Sequence, residues 1–320
     1  MFEKIYEKFR SARKIALLPH ENIDGDALAS CLALKNFIES VGGSAVIVVE
    51  GDIPSNLKFL DGDYIIYSPD AALPDFDTAV AVDCGNTDRF ENRAYIFERA
   101  ETKIVIDHHE TNHGFGDLFI VSPDSAATCE IIYDFFEKFG VPISDETAKF
   151  LYTGIVTDTG CFRFSNTTPR TFQIALNLVK TGVDSAQICS NVFESKRIQQ
   201  LKIEAAAIEK AVFYHSGRTV ISYITQEMID KTGATDGDMN NISSILRSID
   251  GVSTAVALKD KNGTVKISMR SDESVNVADL CALFGGGGHA CAAGATSTLG
   301  ADEITAKIVP VIGELYERNN

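Results

Sequence analysis

Four short apolar runs punctuate the first third of the chain: "KIALLP" (14–19), "SAVIVV" (44–49), "TAVAVD" (78–83) and "KIVID" (103–107). Each is nearly continuous in apolar character, where a half-exposed strand would alternate. Helical spacing follows the first run, with Ala27, Leu28, Cys31, Leu32, Leu34, Phe37 and Ile38 on the apolar positions of 26–40. Further helices are predicted over 125–139 and 145–157, and in "TTPRTFQIALNLVKTG" Thr168 as N-cap and Pro169 at the first helical position open another. Strands apolar on both faces and separated by helices predict a doubly wound α/β domain with a parallel sheet.

Ligands in such folds bind outside the carboxyl ends of the strands, and these ends carry chemistry. His20 follows the first run, Asp83 closes the third and Asp107 the fourth, so all three are expected to face one crevice. "PHENIDGDA" adds Asp24 and Asp26 in the spacing H-x-x-x-D-x-D, "IVIDHHE" adds His108 and His109, and "LYTGIVTDTG" sets Asp158 just past an apolar helix. Crowded carboxylates repel one another unless a cation or a proton lies between them. A single D-x-D after a strand is commonly a helix N-terminus, where carboxylates meet the macrodipole, and two adjacent histidines need bind nothing. The joint placement of His20, Asp24, Asp26, Asp83, His108 and Asp158 on one predicted sheet is what points to a shared site. Two divalent ions about 3.5–4 Å apart, sharing a carboxylate, would require such a set and neutralise it. Mixed imidazole and carboxylate donors suit Mn²⁺ best, with Mg²⁺ or Co²⁺ as alternatives. No cysteine cluster suggests structural zinc.

From about Asp184 to Lys210 the pattern is helical and mostly polar, and reads as one long connecting helix. Strands are predicted next at "RTVISYI" (218–224), "STAVALK" (253–259) and "TVKISMR" (264–270), with helices over 239–249 and from about 301; Asn262-Gly263 is a hairpin signal. The expected organisation is an α/β domain (1–184), a helical linker (185–212) and a smaller α+β domain (213–320). In "FGGGGHACAAG" (284–294), Gly285 to Gly288 precede His289. Backbone N–H groups can approach a phosphate there and shape an anion nest, and the guanidinium fork of Arg270 offers bidentate phosphate contacts. Ser125 in "PDSAATCE" is expected either to cap the 125–139 helix or to touch phosphate.

With 29 Lys and Arg against 45 Asp and Glu, the net charge is −16. That repels long polyanions, since duplex binding needs many cationic phosphate contacts, but leaves room for a small phosphorylated substrate held by metal ions and a few arginines. No apolar run reaches the roughly 18–20 residues that span a bilayer, and "MFEKIYEKFRSARK" lacks the apolar core of a signal peptide. The seven cysteines are scattered, without a C-x-x-C pair, as in a reducing compartment. A cytoplasmic protein without a membrane partner is expected. No feature specifies oligomeric state, and a homodimer is one arrangement open to it.

"HENIDGDALAS", "VDCG", "DHH", "SAATCEIIY", "GIVTDTGCFRFSNTTPRT" and "GGGGHACAAG" occur in this order over nearly the whole chain. Together they resemble the DHH phosphoesterase superfamily, in particular members that join a DHH domain to a DHH-associated C-terminal domain, of the bacterial nano-RNase type. The resemblance implies metal-dependent hydrolysis of short oligoribonucleotides and of 3′-phosphoadenosine 5′-phosphate (pAp), with cyclic-di-AMP/pApA phosphodiesterase activity as the alternative. By position, it implies a first cation on His20, Asp24 and Asp83 and a second on Asp26, Asp83, His108 and Asp158, with Asp83 bridging. Asp107 would orient ligands and His109 would contact the scissile phosphate. Arg270, Gly286, Gly287, Gly288 and His289 would hold the terminal phosphate of the substrate, with Arg163 a further candidate. The gap between two such domains would admit only a short strand; the implied partners are short RNA, pAp or pApA rather than long duplex DNA.

Other readings are separable. Family II pyrophosphatases and exopolyphosphatases share the metal site but carry a basic C-terminal motif in place of the glycine–histidine run. A RecJ-like single-strand exonuclease would need a longer chain and a basic track. A non-catalytic nucleotide sensor would have lost at least one ligand, and all six are present.

Overall fold

The four apolar runs form strands of one parallel sheet, and their unbroken apolar character is explained by burial on both faces. The computed structural model describes residues 1–261 and 263–318, and the chain divides into two compact units, Met1–Ser195 and Lys196 onward. In the first unit the elements run α1 (Phe2–Ser11), β1 (Ile15–Pro19), α2 (Gly25–Ser40), β2 (Ala45–Val49), β3 (Tyr64–Ile66), β4 (Thr78–Val82), α3 (Ala94–Arg99), β5 (Thr102–Asp107), β6 (Leu118–Val121), α4 (Thr128–Phe139), α5 (Asp145–Asp158), α6 (Pro169–Lys180) and α7 (Ser185–Cys189). The strand order is β3-β2-β1-β4-β5-β6, with every pairing parallel. The order reverses direction between β1 and β4, and the crevice at such a switch point is where doubly wound sheets bind ligands.

Alternate residues of each strand serve the two faces, as the pleat requires. Ile15, Leu17, Ile47, Val80, Val82, Ile104 and Ile106 pack with α2, α4 and α5 around Phe37, Phe135 and Ile155. Ala16, Leu18, Val48, Ala79, Ala81 and Val105 pack on the other face against Phe90, Ile96 and Phe97. Helix α2 crosses α5 closely because two glycines allow it. A Cβ on Gly25 would lie 2.3 Å from Thr157 Cγ2, and one on Gly154 would lie 2.3 Å from Cys129 Sγ and 2.6 Å from Asp26 Oδ1. Thr168 caps α6 in a reciprocal box with Thr171, and Pro169 is its first residue.

Two expectations need correction. Helix α4 begins at Thr128, after an N-cap at Ala127 that has no side-chain bond, so Ser125 is not its cap; Ser125 Oγ instead donates to Ser122 Oγ at 2.9 Å. The 184–210 stretch is not one helix. Helix α7 widens into a π turn at Ser190–Glu194, Ser195 and Arg197 leave helical geometry, and α8 (Ile198–Glu209) starts afresh. The break is held by ion pairs to buried acids: Lys196 Nζ lies 2.9 Å from Glu204 Oε2, and Arg197 Nη1 lies 3.1 Å from Asp238 Oδ2.

The second unit continues with β7 (Val212–Tyr214), β8 (Thr219–Ile224), α9 (Gln226–Thr232), α10 (Ile242–Arg247), β9 (Thr254–Lys261), β10 (Thr264–Ser271), α11 (Val277–Ala282), β11 (Gly287–His289), β12 (Ala292–Ser297) and α12 (Ala301–Arg318). Its sheet runs β11-β12-β10-β9-β8-β7. Strands β9 and β10 pair antiparallel, as the hairpin signal predicts, although Asn262 itself lies outside the described residues. Val265, Ile267 and Met269 meet Ile304, Ile308 and Ile312 of α12, while α8 and α10 cover β8 and β9 on the opposite face through Ile203, Ile242 and Leu246. Among the described residues, no helix is long and apolar enough to cross a membrane.

Candidate metal centre and anion-binding face

The end of β4 organises the first unit's site. Asp83 directly follows that strand, is 2% exposed and has a left-handed backbone (φ 55°), a conformation that costs an L-residue energy and persists at functional positions. Its amide donates to the Ile106 carbonyl at 3.0 Å, so the turn that aims its carboxylate is anchored on β5. Around it, His20 Nε2 lies 3.8 Å from Asp83 Oδ2 and 3.4 Å from Asp24 Oδ2. His108 Nε2 lies 3.6 Å from Asp83 Oδ1 and 3.1 Å from Asp158 Oδ2. Donor atoms of His20, Asp24 and Asp83 converge within 4.8 Å, as do those of Asp26, Asp83 and His108. Six side chains from four stretches of sequence therefore meet, with Asp83 common to both groups.

Each donor is set by local structure. Asp24 is the N-cap of α2 and accepts from Ala27 N–H through Oδ1, which leaves Oδ2 turned to His20. Two residues on, buried Asp26 accepts from Thr128 N–H (2.6 Å), Cys129 N–H (3.0 Å) and Ser30 Oγ (3.2 Å). His108 Nδ1 sits 3.2 Å from the Ser125 carbonyl. A carbonyl only accepts, so Nδ1 carries the proton and Nε2 is the atom turned to Asp83 and Asp158. Asp158 ends α5, and its carbonyl accepts from Asn166 Nδ2. His109 Nδ1 lies 2.7 Å from Asp107 Oδ1, and Asn112 Nδ2 donates to Asp107 Oδ2, also at 2.7 Å.

The electrostatics show what the cluster lacks. Burial, then the charge of Asp158, pushes Asp26 up to about 7. Burial, then Asp26 and Asp24, holds Asp83 well above the usual carboxylate range. Burial opposes the charged form of His108, yet its bond to Asp158 lifts it well above the ordinary imidazole value; Asp24 raises His20 in the same sense. Asp107 is shifted down: burial opposes this, but the His109 and Asp107 pair keeps the carboxylate ionised. A set of acids that hold protons against their ordinary pKa, facing imidazole Nε2 atoms, has the donor chemistry of a site for first-row divalent cations.

The second unit carries a different surface. Arg270 on β10 pairs in register with Ala292 on β12, which pairs with His289 on β11; one step along, Ser268, Gly294 and Gly287 are aligned in the same way. Arg270, His289 and Ser268 therefore share one sheet face, over a floor of glycine and alanine. Arg270 Nη1 donates to the Met269 carbonyl, and burial pushes the guanidinium pKa below its usual value. The glycine run is part turn and part strand, with Gly287 and Gly288 in β11. Gly285 (φ 74°) turns the chain, whereas Gly286 is pressed onto β12, where a Cβ would lie 2.2 Å from the Gly294 carbonyl. Gly287 alone of the four has ordinary backbone and open space where a side chain would be. Arg163 is exposed in the turn after α5, its Nε bonded to the Gly160 carbonyl.

Sequence reasoning missed the groups that hold Asp107 and the candidate ligands: Asn112, Asn166, the Ser125 carbonyl and Thr128, whose Oγ1 donates to Asp83 Oδ1 at 2.9 Å. Only Asn112, five residues from Asp107, left a local signal.

Comparison with known proteins agrees with this architecture. The model of the DHH family, N-terminal domain, matches residues 14–155, and that of the DHHA1 domain matches residues 218–312. The bifunctional oligoribonuclease and PAP phosphatase NrnA of Thermus thermophilus is 31% identical over 95% of this chain and 90% of its own. The Bacillus subtilis protein of the same description is 25% identical over 88% of each chain. The crystal structure of an exopolyphosphatase-related protein from Bacteroides fragilis superposes with a TM-score of 0.91, at 25% identity, over 99% of this chain and 97% of that one. A catalytic-type strand-end cluster followed by a DHHA1 domain, matched along nearly the full length, settles the class: the chain belongs to the DHH family and is a metal-dependent phosphoesterase.

Proposed function

We propose that the protein hydrolyses short oligoribonucleotides and pAp, using two divalent cations, Mn²⁺ foremost, bound through His20, Asp24 and Asp83 and through Asp26, Asp83, His108 and Asp158. The observation that carries this reading is the convergence of both donor groups on Asp83, the buried left-handed residue at the end of β4. The relatives named NrnA are described as bifunctional oligoribonuclease and PAP phosphatase, and a chain of net charge −16 disfavours long polyanions.

When bound, the cations supply Lewis acidity toward the phosphoryl oxygens and lower the pKa of an attacking water. The chain's own residues do the rest. Asp107, itself held by Asn112, fixes the orientation of the His109 ring, which would contact the scissile phosphate. Arg270 and His289 stand over a small-residue floor that lets a phosphate approach the backbone at Gly287, where a guanidinium favours an anion of fixed geometry. No nucleophilic side chain is required. A cytoplasmic compartment accords with seven free cysteines.

The test is Mn²⁺-dependent hydrolysis by the wild type and His108→Ala on pAp, pApA, a short RNA ladder and pyrophosphate. Turnover of pAp and the shortest RNAs, lost in the variant, is the expected result. Turnover confined to pApA would transfer the assignment to the dinucleotide phosphodiesterases, and turnover of pyrophosphate alone would overturn it.

A further inference from the structure

The four-residue stretch from Ser125 to Thr128 touches Asp83 and two of the side chains grouped around it. The Ser125 carbonyl faces His108 Nδ1, Thr128 N–H donates to Asp26 Oδ2, and Thr128 Oγ1 donates to Asp83 Oδ1. Thr128 is wholly buried, and it reaches Asp26 and Asp83 across sequence separations of 102 and 45. The stretch is itself pinned: Ala126 N–H donates to Glu130 Oε2 at 3.3 Å, and the Ala126 carbonyl accepts from Asn166 Nδ2 at 3.0 Å.

We infer that Thr128 is a positioning residue which fixes the two carboxylates, Asp83 and Asp26, in the relative geometry that both cation positions need. The inference rests on the metal-site reading above. The physical reason is specific to the residue type. A carboxylate oxygen has more than one lone pair, so a hydroxyl donor can hold Asp83 Oδ1 while leaving capacity toward a cation. A β-branched side chain has few χ1 states, so the hydroxyl keeps one direction once the methyl is packed. The same residue's amide is one of the first N–H groups of α4, which lack partners within the helix. Asp26 takes that role in place of a side-chain cap from the local sequence. A shift of Thr128 thus moves both carboxylates together. Loss of the hydroxyl alone frees Asp83 to rotate while Asp26 stays in place.

The test compares two pairs that differ in the hydroxyl, Thr128 against its isostere Thr128→Val and Thr128→Ser against Thr128→Ala, with Asp83→Asn as the reference for a broken site. Mn²⁺ binding is read by calorimetry and by the Mn²⁺ paramagnetic resonance signal, and folding by circular dichroism of the metal-free protein. Loss of a group that orients a metal ligand typically weakens metal affinity about 10–100-fold. The expected result is a loss of that order in Thr128→Val and Thr128→Ala, with Thr128→Ser close to wild type. Should Thr128→Val not fold, the Ser/Ala pair still isolates the hydroxyl. Wild-type Mn²⁺ affinity in Thr128→Ala, with binding abolished in Asp83→Asn, would overturn the role of Thr128 and leave the metal site standing. Equal Mn²⁺ affinity of the wild type and Asp83→Asn would overturn the metal-site reading and this inference with it.

Discussion

Asp107 and His109, two residues apart and on either side of His108, are joined side chain to side chain at 2.7 Å. The residue between them turns its own imidazole to Asp83 and Asp158, and His109 borders the same carboxylate, its Nδ1 lying 3.9 Å from Asp83 Oδ1. One strand end thereby supplies a candidate ligand and, beside it, an imidazole oriented by Asp107.

Asp107→Asn tests that arrangement. The carboxylate accepts from both His109 and Asn112, whereas an amide presents one acceptor and one donor, so one of the two partners is left facing an N–H. Hydrolysis of pAp should fall about 10–100-fold, as when a group orienting a metal-site residue is altered. The loss should appear in kcat, with Mn²⁺ affinity nearly unchanged. An equal loss of Mn²⁺ binding would instead make Asp107 part of the ligand set.

Metal-free stability should fall as pH rises between about 5 and 8. Asp26, ordinarily at 3.8, is raised to about 7 in the folded chain, so the fold binds a proton that the unfolded chain has released. The resulting stabilisation is present at low pH and lost as pH rises through about 7; the raised Asp83, His20 and His108 act in the same direction. Cations bind the deprotonated ligands and displace those protons. With Mn²⁺ the slope should therefore flatten or reverse, which melting curves taken with chelator and with metal would show.

Asp83→Asn should separate stability from function. An asparagine copies the protonated form that the site favours without metal, and it tolerates left-handed backbone better than most residues. The metal-free protein should melt a few degrees higher at pH 8, given about 2–4 °C per kcal/mol for a domain of this size, while Mn²⁺ binding and hydrolysis are lost. A lower melting temperature would mean that the carboxylate's bonds outweigh its repulsions.

The parts of this site that the sequence shows are those whose signal is local. His20, Asp83 and Asp107 stand at the ends of apolar runs, so strand, strand end and ligand are read together. Strands β3 and β6 leave little trace, being edge strands of three and four residues, one of which exposes Phe119. Thr128 looks like an ordinary early-helix residue, because its partners Asp26 and Asp83 are brought to it only by the crossing of α2, α4 and β4. The break after α7 is equally invisible, since the acids that hold Lys196 and Arg197, Glu204 and Asp238, lie downstream in the fold of the second unit. In the glycine run, composition suggested an anion nest, while the register of β11 on β12 presses the preceding Gly286 onto Gly294 and Ala295 and makes it a packing requirement.

That register yields the last prediction, in which two adjacent alanine substitutions differ. In Gly286→Ala the new methyl meets the Gly294 carbonyl at 2.2 Å and Ala295 Cβ at 2.5 Å, so β11 must move away from β12. Overpacking of this kind costs about 1–3 kcal/mol, and melting of the second unit should drop accordingly. Gly287→Ala meets nothing within 4 Å, so stability should be unchanged within about 0.5 kcal/mol. If a phosphate does approach the backbone there, KM for pAp should nonetheless rise, as it should for Arg270→Ala, with kcat affected less. Unchanged KM in both Gly287→Ala and Arg270→Ala would remove this face from the substrate site, and the glycine run would then be explained by the packing of Gly286 and the turn at Gly285 alone.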